Sequence, residues 1–426
     1  MPATPGPPGG RAEAAAVSAA KTAPLTFETA VVRALAWHPA IDEAVGQIYR
    51  AEERIAEAKA GYYPKISAGV DSGYRSTSGW GPRLNVSASQ MIYDFGKAAS
   101  SVDTQAAGRN VADARLLLAT DTLARDTAQA VIELQRYRRL SRLAQEQLNG
   151  VQAIARLVKE RSDRGASTTS DRVQADARVE AALATKLQYD SERERWQASL
   201  SALLGGGPAN PSDDVPAWLA RSCDPGSPDW SQVPAMLEAE AQKEEAAAQL
   251  KASRAEAFPT ISLEGGVGYD ILGSKGSSDD LDPSIGVNVS WSLFNGGQLG
   301  ARARAAGHAL RAAEASLLNT RFEVERSFLE GRSRAGTLGR LRDTLQSRYD
   351  MMVQTRDLYR HQYLELGTRT LLDLLNAEQE LHEAQFQTAN TVHDLRRLHV
   401  DCLYNTGRMR QSFGVEAAAL RGRGSG

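Results

Sequence analysis

Aromatic side chains are scarce in this chain. Phe, Trp and Tyr make up 6% of 426 residues, while hydrophobic residues as a whole reach 42%. Alanine and leucine carry much of that apolar content, a composition lean in material for globular cores and suited to long helices. A dominant charge is missing too: Lys+Arg of 50 against Asp+Glu of 52 leaves −2 overall, which gives no electrostatic footprint for nucleic acid. The arginines are spread among acids in the manner of solvated helix faces. Of cysteine there are only Cys223 and Cys402, without zinc-ligand spacing; they read either as a pair in an oxidising compartment or as two free thiols. The histidines form no HExxH-like array, so no metal or cofactor is expected. No Ser/His/Asp set, phosphate loop or pair of catalytic carboxylates emerges, so no catalytic residue is assigned. Nothing approaches the roughly 18 consecutive apolar residues of a spanning helix. A membrane crossing by this chain therefore has to be made of strands.

What the chain does have is a duplication. PAIDEAVGQ at 39–47 falls on PAMLEAEAQ at 234–242, YYPKIS at 62–67 on AFPTIS at 257–262, and MIYDFGK at 91–97 on SLFNGGQ at 292–298. Farther on, RGASTTSDRVQADA at 164–177 matches LGTRTLLDLLNAEQ at 366–379. Each half reads helix, strand, turn, strand, very long helix, short polar turn, helix. The first helix, from about 40 to 61, ends before Pro64 because the residue preceding proline is pushed out of the α region. Leu84, Val86 and Ala88 alternate with Asn85, Ser87 and Ser89; Ile285, Val287, Val289, Trp291 and Leu293 alternate with polar or small residues. This period of two suits a strand with lipid on one face, and equally a half-buried strand of a soluble sandwich.

From Lys97 to about Asp163, and from Gln298 to about Leu366, no proline interrupts a helical pattern, and each stretch extends roughly 100 Å at 1.5 Å per residue. Heptad seams run through both: Leu116, Leu123, Ala130, Tyr137, Ala144, Val151 and Val158 in the first; Leu310, Leu317, Val324, Gly331, Leu338, Leu345, Met352, Tyr359 and Leu366 in the second. Such seams imply left-handed supercoiling. The helix from 170 to 203 follows a polar turn, and Ser170 reads as its N-cap.

Four strands do not close a membrane barrel, which needs about eight or more, and open edges in lipid leave backbone groups unpaired. A membrane role therefore demands an oligomer that shares one barrel. The repeated YDFG and FNGG turns then convert barrel strands into tube helices. Glycine supplies the backbone freedom at Gly96, Gly296 and Gly297, and Asp94 and Asn295 are placed to cap the new helices.

The YP and FP strand entries, the two strand-to-helix turns and GTRTLLDLLNAEQELHEAQ, in this order and duplicated, resemble the TolC family of outer-membrane efflux and secretion proteins. The resemblance covers about 25–407 and implies a mixed, mostly α fold. It further implies a homotrimer whose outer-membrane β-barrel, built from four strands per chain, continues into a long periplasmic α-helical coiled-coil barrel. By the same resemblance the protein is a passive exit duct in the outer membrane of a Gram-negative bacterium, for type I protein secretion or small-molecule efflux. Its partners are then outer-membrane lipid, a periplasmic adaptor and an inner-membrane ABC or proton-driven transporter. Asp373 and Asn376 match the family's entrance rings, with an amide in place of the second carboxylate. Arg369 matches the gate arginine, Ser170 and Asp171 match its partners, and the gate tyrosine expected at 364 is Leu364, with Tyr363 beside it.

This reading divides the chain into an N-terminal segment 1–24, without an apolar h-region and expected to be disordered; a first repeat 25–204; a linker 205–233 expected to belt the tube; a second repeat 234–407; and a flexible tail 408–426. The competing reading is a periplasmic adaptor or coiled-coil scaffold.

Overall fold

The computed structural model describes residues 25–75, 79–207, 209–224, 228–271 and 281–415. Segment 1–24 and residues 416–426 of the tail, on which two expectations rest, lie outside the described residues. In chain order the elements are α1 (Phe27–Trp37), α2 (Pro39–Ala60), β1 (Lys65–Arg75), β2 (Gly79–Tyr93), α3 (Lys97–Asp163), α4 (Thr169–Leu203) and a 3-10 turn (Ala217–Arg221). The second half continues with α5 (Pro234–Ala255), β3 (Thr260–Asp270), β4 (Leu281–Ser290), α6 (Gln298–His361), a π turn (Gln362–Leu366), α7 (Leu371–Asn405) and α8 (Met409–Ser412). The expected order of elements is present in both halves. Helix α1 had not been foreseen, and β4 stops at Ser290, short of Trp291 and Leu293.

Two compact units are present, and each draws on both repeats. The first comprises residues 42–119 and 234–323 and contains the sheet. Its order is β1-β2-β3-β4, every neighbour antiparallel, so among the described residues β1 and β4 are free edges. The registers Val70↔Leu84, Leu84↔Tyr269 and Tyr269↔Leu281 place one apolar set on one face. Ser67↔Ser87, Ser87↔Gly266 and Gly266↔Ser284 line the other. This is the period-two pattern of the sequence, carried across all four strands because the side-chain period is two. Between the helices of this unit run surface ion pairs, Arg109–Glu52 at 3.1 Å and Arg115–Glu238 at 2.8 Å among them, each contributing about 0–1 kcal/mol.

The second unit comprises residues 25–41, 120–233 and 324–415. Its core is a row of helix contacts. Leu140, Leu143 and Ala144 of α3 pack on Phe386 and Ala389 of α7; farther along, Ile154 and Val158 meet Ala175, Tyr363, Leu371, Leu374 and Leu375. In this unit the heptad seam of α3 is buried at Leu123, Ala130, Ala144, Val151 and Val158, and Leu116, in the first unit, is buried as well. The seam of α6 is not: most of its positions are only half-buried, Gly331 and Leu345 are buried, and Leu366 is 60% exposed within the π turn. Elsewhere on α6, Leu329, Met351 and Leu358 in this unit, and Leu318 and Phe322 in the first, are open to solvent.

The linker docks on this helical unit. Phe27, Trp218 and Phe413 form an aromatic cluster with centroid separations of 5.5 to 6.4 Å. Ser222 Oγ donates to His399 O at 2.7 Å. Of the two readings of the cysteines, the pair is realised: Cys223 and Cys402 form a buried disulfide across 179 residues of sequence.

Candidate functional site

Three places carry the expected function: the sheet, the turns that leave it, and the polar helix ends at 164–177 and 362–379. Among the described residues no helix is long and apolar enough to cross a membrane. The sheet's apolar face is instead the exposed hydrophobic surface. Ile66, Val70, Leu84, Val86, Val267, Ile285, Val287 and Val289 all stand out from it, Ile285 at 83% exposure. Tyr74, Trp80 and Tyr269 are exposed at the hairpin end; Tyr63, Tyr93, Trp291 and Phe294 are exposed at the helix end. An apolar band flanked by two aromatic girdles is the outer surface of a membrane barrel. The opposite face is polar and cross-linked: Ser67 and Ser87 Oγ lie 2.8 Å apart, Arg83 pairs with Asp282 at 2.7 Å, Asn85 donates to Asp71, and Asn288 donates to Glu264 at 2.8 Å. Gly268 leaves the space that the Arg83 guanidinium fills.

At the first strand-to-helix turn, Asp94 takes two backbone donors, Gly96 N–H at 2.9 Å on Oδ1 and Ala98 N–H at 2.6 Å on Oδ2. This satisfies helix-start donors that α3 leaves open. The second turn has the weaker version, Leu299 N–H to Asn295 Oδ1 at 3.5 Å. Gly96, Gly296 and Gly297 have φ of 89°, 67° and 83°. The position matching Gly296 is Phe95, which adopts φ 56°, an uncommon conformation for a bulky residue. Its ring compensates by packing 4.7 Å from Tyr93 and 5.7 Å from Phe258, centroid to centroid.

At the helix ends the repeat is exact in chemistry. Thr168 caps α4 and Thr370 caps α7, each accepting from the N–H of the acid three residues on, Asp171 at 3.1 Å and Asp373 at 3.2 Å. Each carboxylate returns the bond, from Thr168 N–H at 3.0 Å and Thr370 N–H at 3.2 Å. These capping boxes correct the expectation for Ser170, which lies inside α4 while Thr168 is the cap. The run STTS offers several hydroxyls, but only Thr168 stands three residues before the acid. The returned backbone N–H bonds hold both carboxyls below their ordinary range.

Within the chain, Arg369 is not brought to Ser170 or Asp171. Its guanidinium lies 4.3 Å over the Tyr359 ring, its Nε donates to Gln362 Oε1 at 3.2 Å, and Nη1 stands 4.0 Å from Asp373. Asn376 accepts from Arg178 at 3.2 Å. Tyr363 is turned into the core beneath Arg161, at 5.1 Å, in the π turn, which carries an extra residue per turn. The sequence reading missed both capping threonines, although the T-x-x-D spacing was there to be found, and also the left-handed Phe95.

An amphipathic sheet with two free edges, opening through capped glycine turns into helices of 67 and 64 residues, defines a subunit of a strand-to-helix membrane channel. The chain belongs to the outer membrane efflux protein family, whose model matches residues 30–206 and 231–397. It is 25% identical over 422 residues to the outer membrane efflux protein BepC of Brucella suis biovar 1, covering 93% of this chain and 88% of that protein. With the alkaline protease secretion protein AprF of Pseudomonas aeruginosa it shares 25% identity over 303 residues, 68% of this chain and 58% of the other. The fold is similar to that of the outer membrane protein VceC of Vibrio cholerae, with a TM-score of 0.79, 19% identity and coverage of 89% and 96% of the two chains. The protein is thus an exit duct of the outer membrane whose helical part extends into the periplasm.

Proposed function

We propose that three copies of this chain close one twelve-stranded barrel and form the passive outlet of a tripartite export system. The observation that carries this is the sheet: four strands, both edges unpaired, with an apolar face outward. Unpaired backbone groups in lipid cost several kcal/mol each, and only closure with other copies removes them. Two copies give an eight-stranded barrel whose interior side chains fill, whereas three leave a lumen. The exposed apolar positions of α6, with Val173 and Leu187 of α4, supply matching faces between neighbouring helices.

In this reading, repeats 25–204 and 234–407 each contribute a hairpin and its helices, and 205–233 belts the tube. The helix ends at Asp171 and Asp373 form the periplasmic entrance. Asp373 and Asn376 face the passage, and Arg369 links to Ser170 and Asp171 across a protomer boundary. The chain acts in transport and not in catalysis. A periplasmic adaptor seats on the tip, and an inner-membrane transporter, ABC or proton-driven, provides the energy. The names of the efflux protein BepC and the alkaline protease secretion protein AprF support both efflux and protein secretion. Native mass spectrometry of the protein released from detergent tests the stoichiometry. The expected mass is three chains; a monomer that stays soluble without detergent overturns the proposal in favour of an adaptor or scaffold.

A further inference from the structure

Within the helical unit, α3, α6, α7 and the linker around Asp213 line an open cleft of about 360 Å³. Its electrostatics are one-sided. Arg139, Arg142 and Arg396 all line it, against a single lining carboxylate, Asp213. Asp213 is already engaged by Arg142 at 2.9 Å. Among the described residues no carboxylate lies within ion-pair distance of Arg139 or Arg396. Arg396 is half-buried, and desolvation holds its pKa below the ordinary arginine value, with Asp213 opposing. A partly desolvated guanidinium without an anion is an unfavourable arrangement that a bound anion reverses.

A second, independent feature points to a ligand in the same cleft. Gln135 is 2% exposed; its Nε2 donates to Ser212 O at 2.7 Å, and its Oε1 has no partner. A buried acceptor left open costs about 1–3 kcal/mol, and only a donor satisfies it. His393, also in the wall, is held neutral: burial pushes its pKa down to about 4, and Nδ1–H donates to Ala389 O at 2.7 Å. That leaves Nε2 as another acceptor. The cleft therefore presents cations for anionic groups and acceptors for a hydroxyl.

We propose that this cleft is a binding site for a small hydroxylated polycarboxylate, its carboxylates held by Arg396 and Arg139 and its hydroxyl donating to Gln135 Oε1. A ligand seated there ties α3 to α7, with Tyr349 of α6 in the same wall. The site is independent of the channel reading, since binding and conductance are measured separately.

Isothermal titration of the full chain in detergent, at fixed ionic strength, tests the proposal with three probes: citrate, tricarballylate (the same tricarboxylate without the hydroxyl) and inorganic phosphate. The expected result is saturable citrate binding, at least tenfold weaker for tricarballylate and for phosphate. Arg396→Ala and Arg139→Ala each weaken citrate at least tenfold, while Arg332→Ala, in the wall of a neighbouring cavity, leaves it unchanged. Circular dichroism of each variant matching the parent establishes that the fold is kept. Absence of saturable citrate binding overturns the proposal, as does equal affinity in parent and arginine variants. Equal affinity for citrate and tricarballylate overturns the role of Gln135.

Discussion

Thr370 and Asp373 clasp each other at the start of α7: the Asp373 N–H donates to Thr370 Oγ1 at 3.2 Å, and the Thr370 N–H donates back to Asp373 Oδ2 at 3.2 Å. Thr168 and Asp171 repeat the arrangement at the start of α4. The carboxylates proposed for the entrance are therefore fixed by their own helix ends within a single chain. Replacing Thr168 by Ala removes one cap, worth about 0.5–2 kcal/mol of helix stability. Amide exchange of residues 169–172 is expected to speed up, with no change in the sheet. Unchanged exchange there would contradict the capping assignment.

The two faces of the sheet make opposite predictions. Arginine at Ile285, on the apolar face near the middle of β4, is expected to cost about 2–4 kcal/mol of insertion. Arginine at Asn288, on the polar face, is expected to be tolerated. Yield of assembled protein in outer-membrane fractions distinguishes them, and equal yields would show that the faces are wrongly assigned.

Arg410 of α8 reaches Asp121 of α3 at 2.9 Å and also donates to Gln232 O at 2.9 Å, so one guanidinium ties the C-terminal helix to the linker and the core. Asp121 is fully buried, and desolvation raises its pKa to about 7 against the pull of Arg410. An unfolded Asp titrates at about 3.9. Between these values the folded chain holds a proton that the unfolded chain has lost, so stability from this group falls as pH rises from about 4 to about 7. Melting curves across that range should show the decline in the parent and a flatter profile in Asp121→Asn. Arg410→Ala leaves the buried carboxyl without its cation and should cost about 3–5 kcal/mol at pH 8.

The Cys223–Cys402 disulfide closes a loop of 179 residues between linker and α7. Removing a bridge of this kind typically costs about 2–4 kcal/mol. A Cys223→Ser, Cys402→Ser double variant is expected to melt earlier than the oxidised parent and to match the fully reduced parent. Identical melting of all three would show that the bridge does not hold the linker.

Much of this architecture was legible in the residues. Helix α3 begins at Lys97 and ends at Asp163, as read, because Gly96 opens it and the polar RGASTT run closes it. The strands were legible because their alternation is strict from Leu84 to Ser89 and from Ile285 to Ser290. Four things were hidden for physical reasons. Phe95 takes a left-handed conformation that its side chain alone disfavours, held by the rings around it. The choice of Thr168 over Ser170 as cap depends on which hydroxyl reaches a backbone donor, and spacing to Asp171 decides it. The seam of α6 has the same periodicity as that of α3 but remains half open within one chain, since period alone does not tell whether a face is buried within its own chain. The disulfide, too, joins residues whose proximity only the folded linker creates.

In the trimer we propose, the free edges of β1 and β4 are closed by other copies into one continuous lumen. Single-channel recording of the detergent-purified oligomer in a planar bilayer tests it most directly, in the parent and in Arg369→Ala. A small, steady conductance that rises in the variant is the predicted result, because in the proposed trimer the barrel is open and the helix tip is the constriction. A well-folded protein that inserts yet passes no current in either form would contradict it.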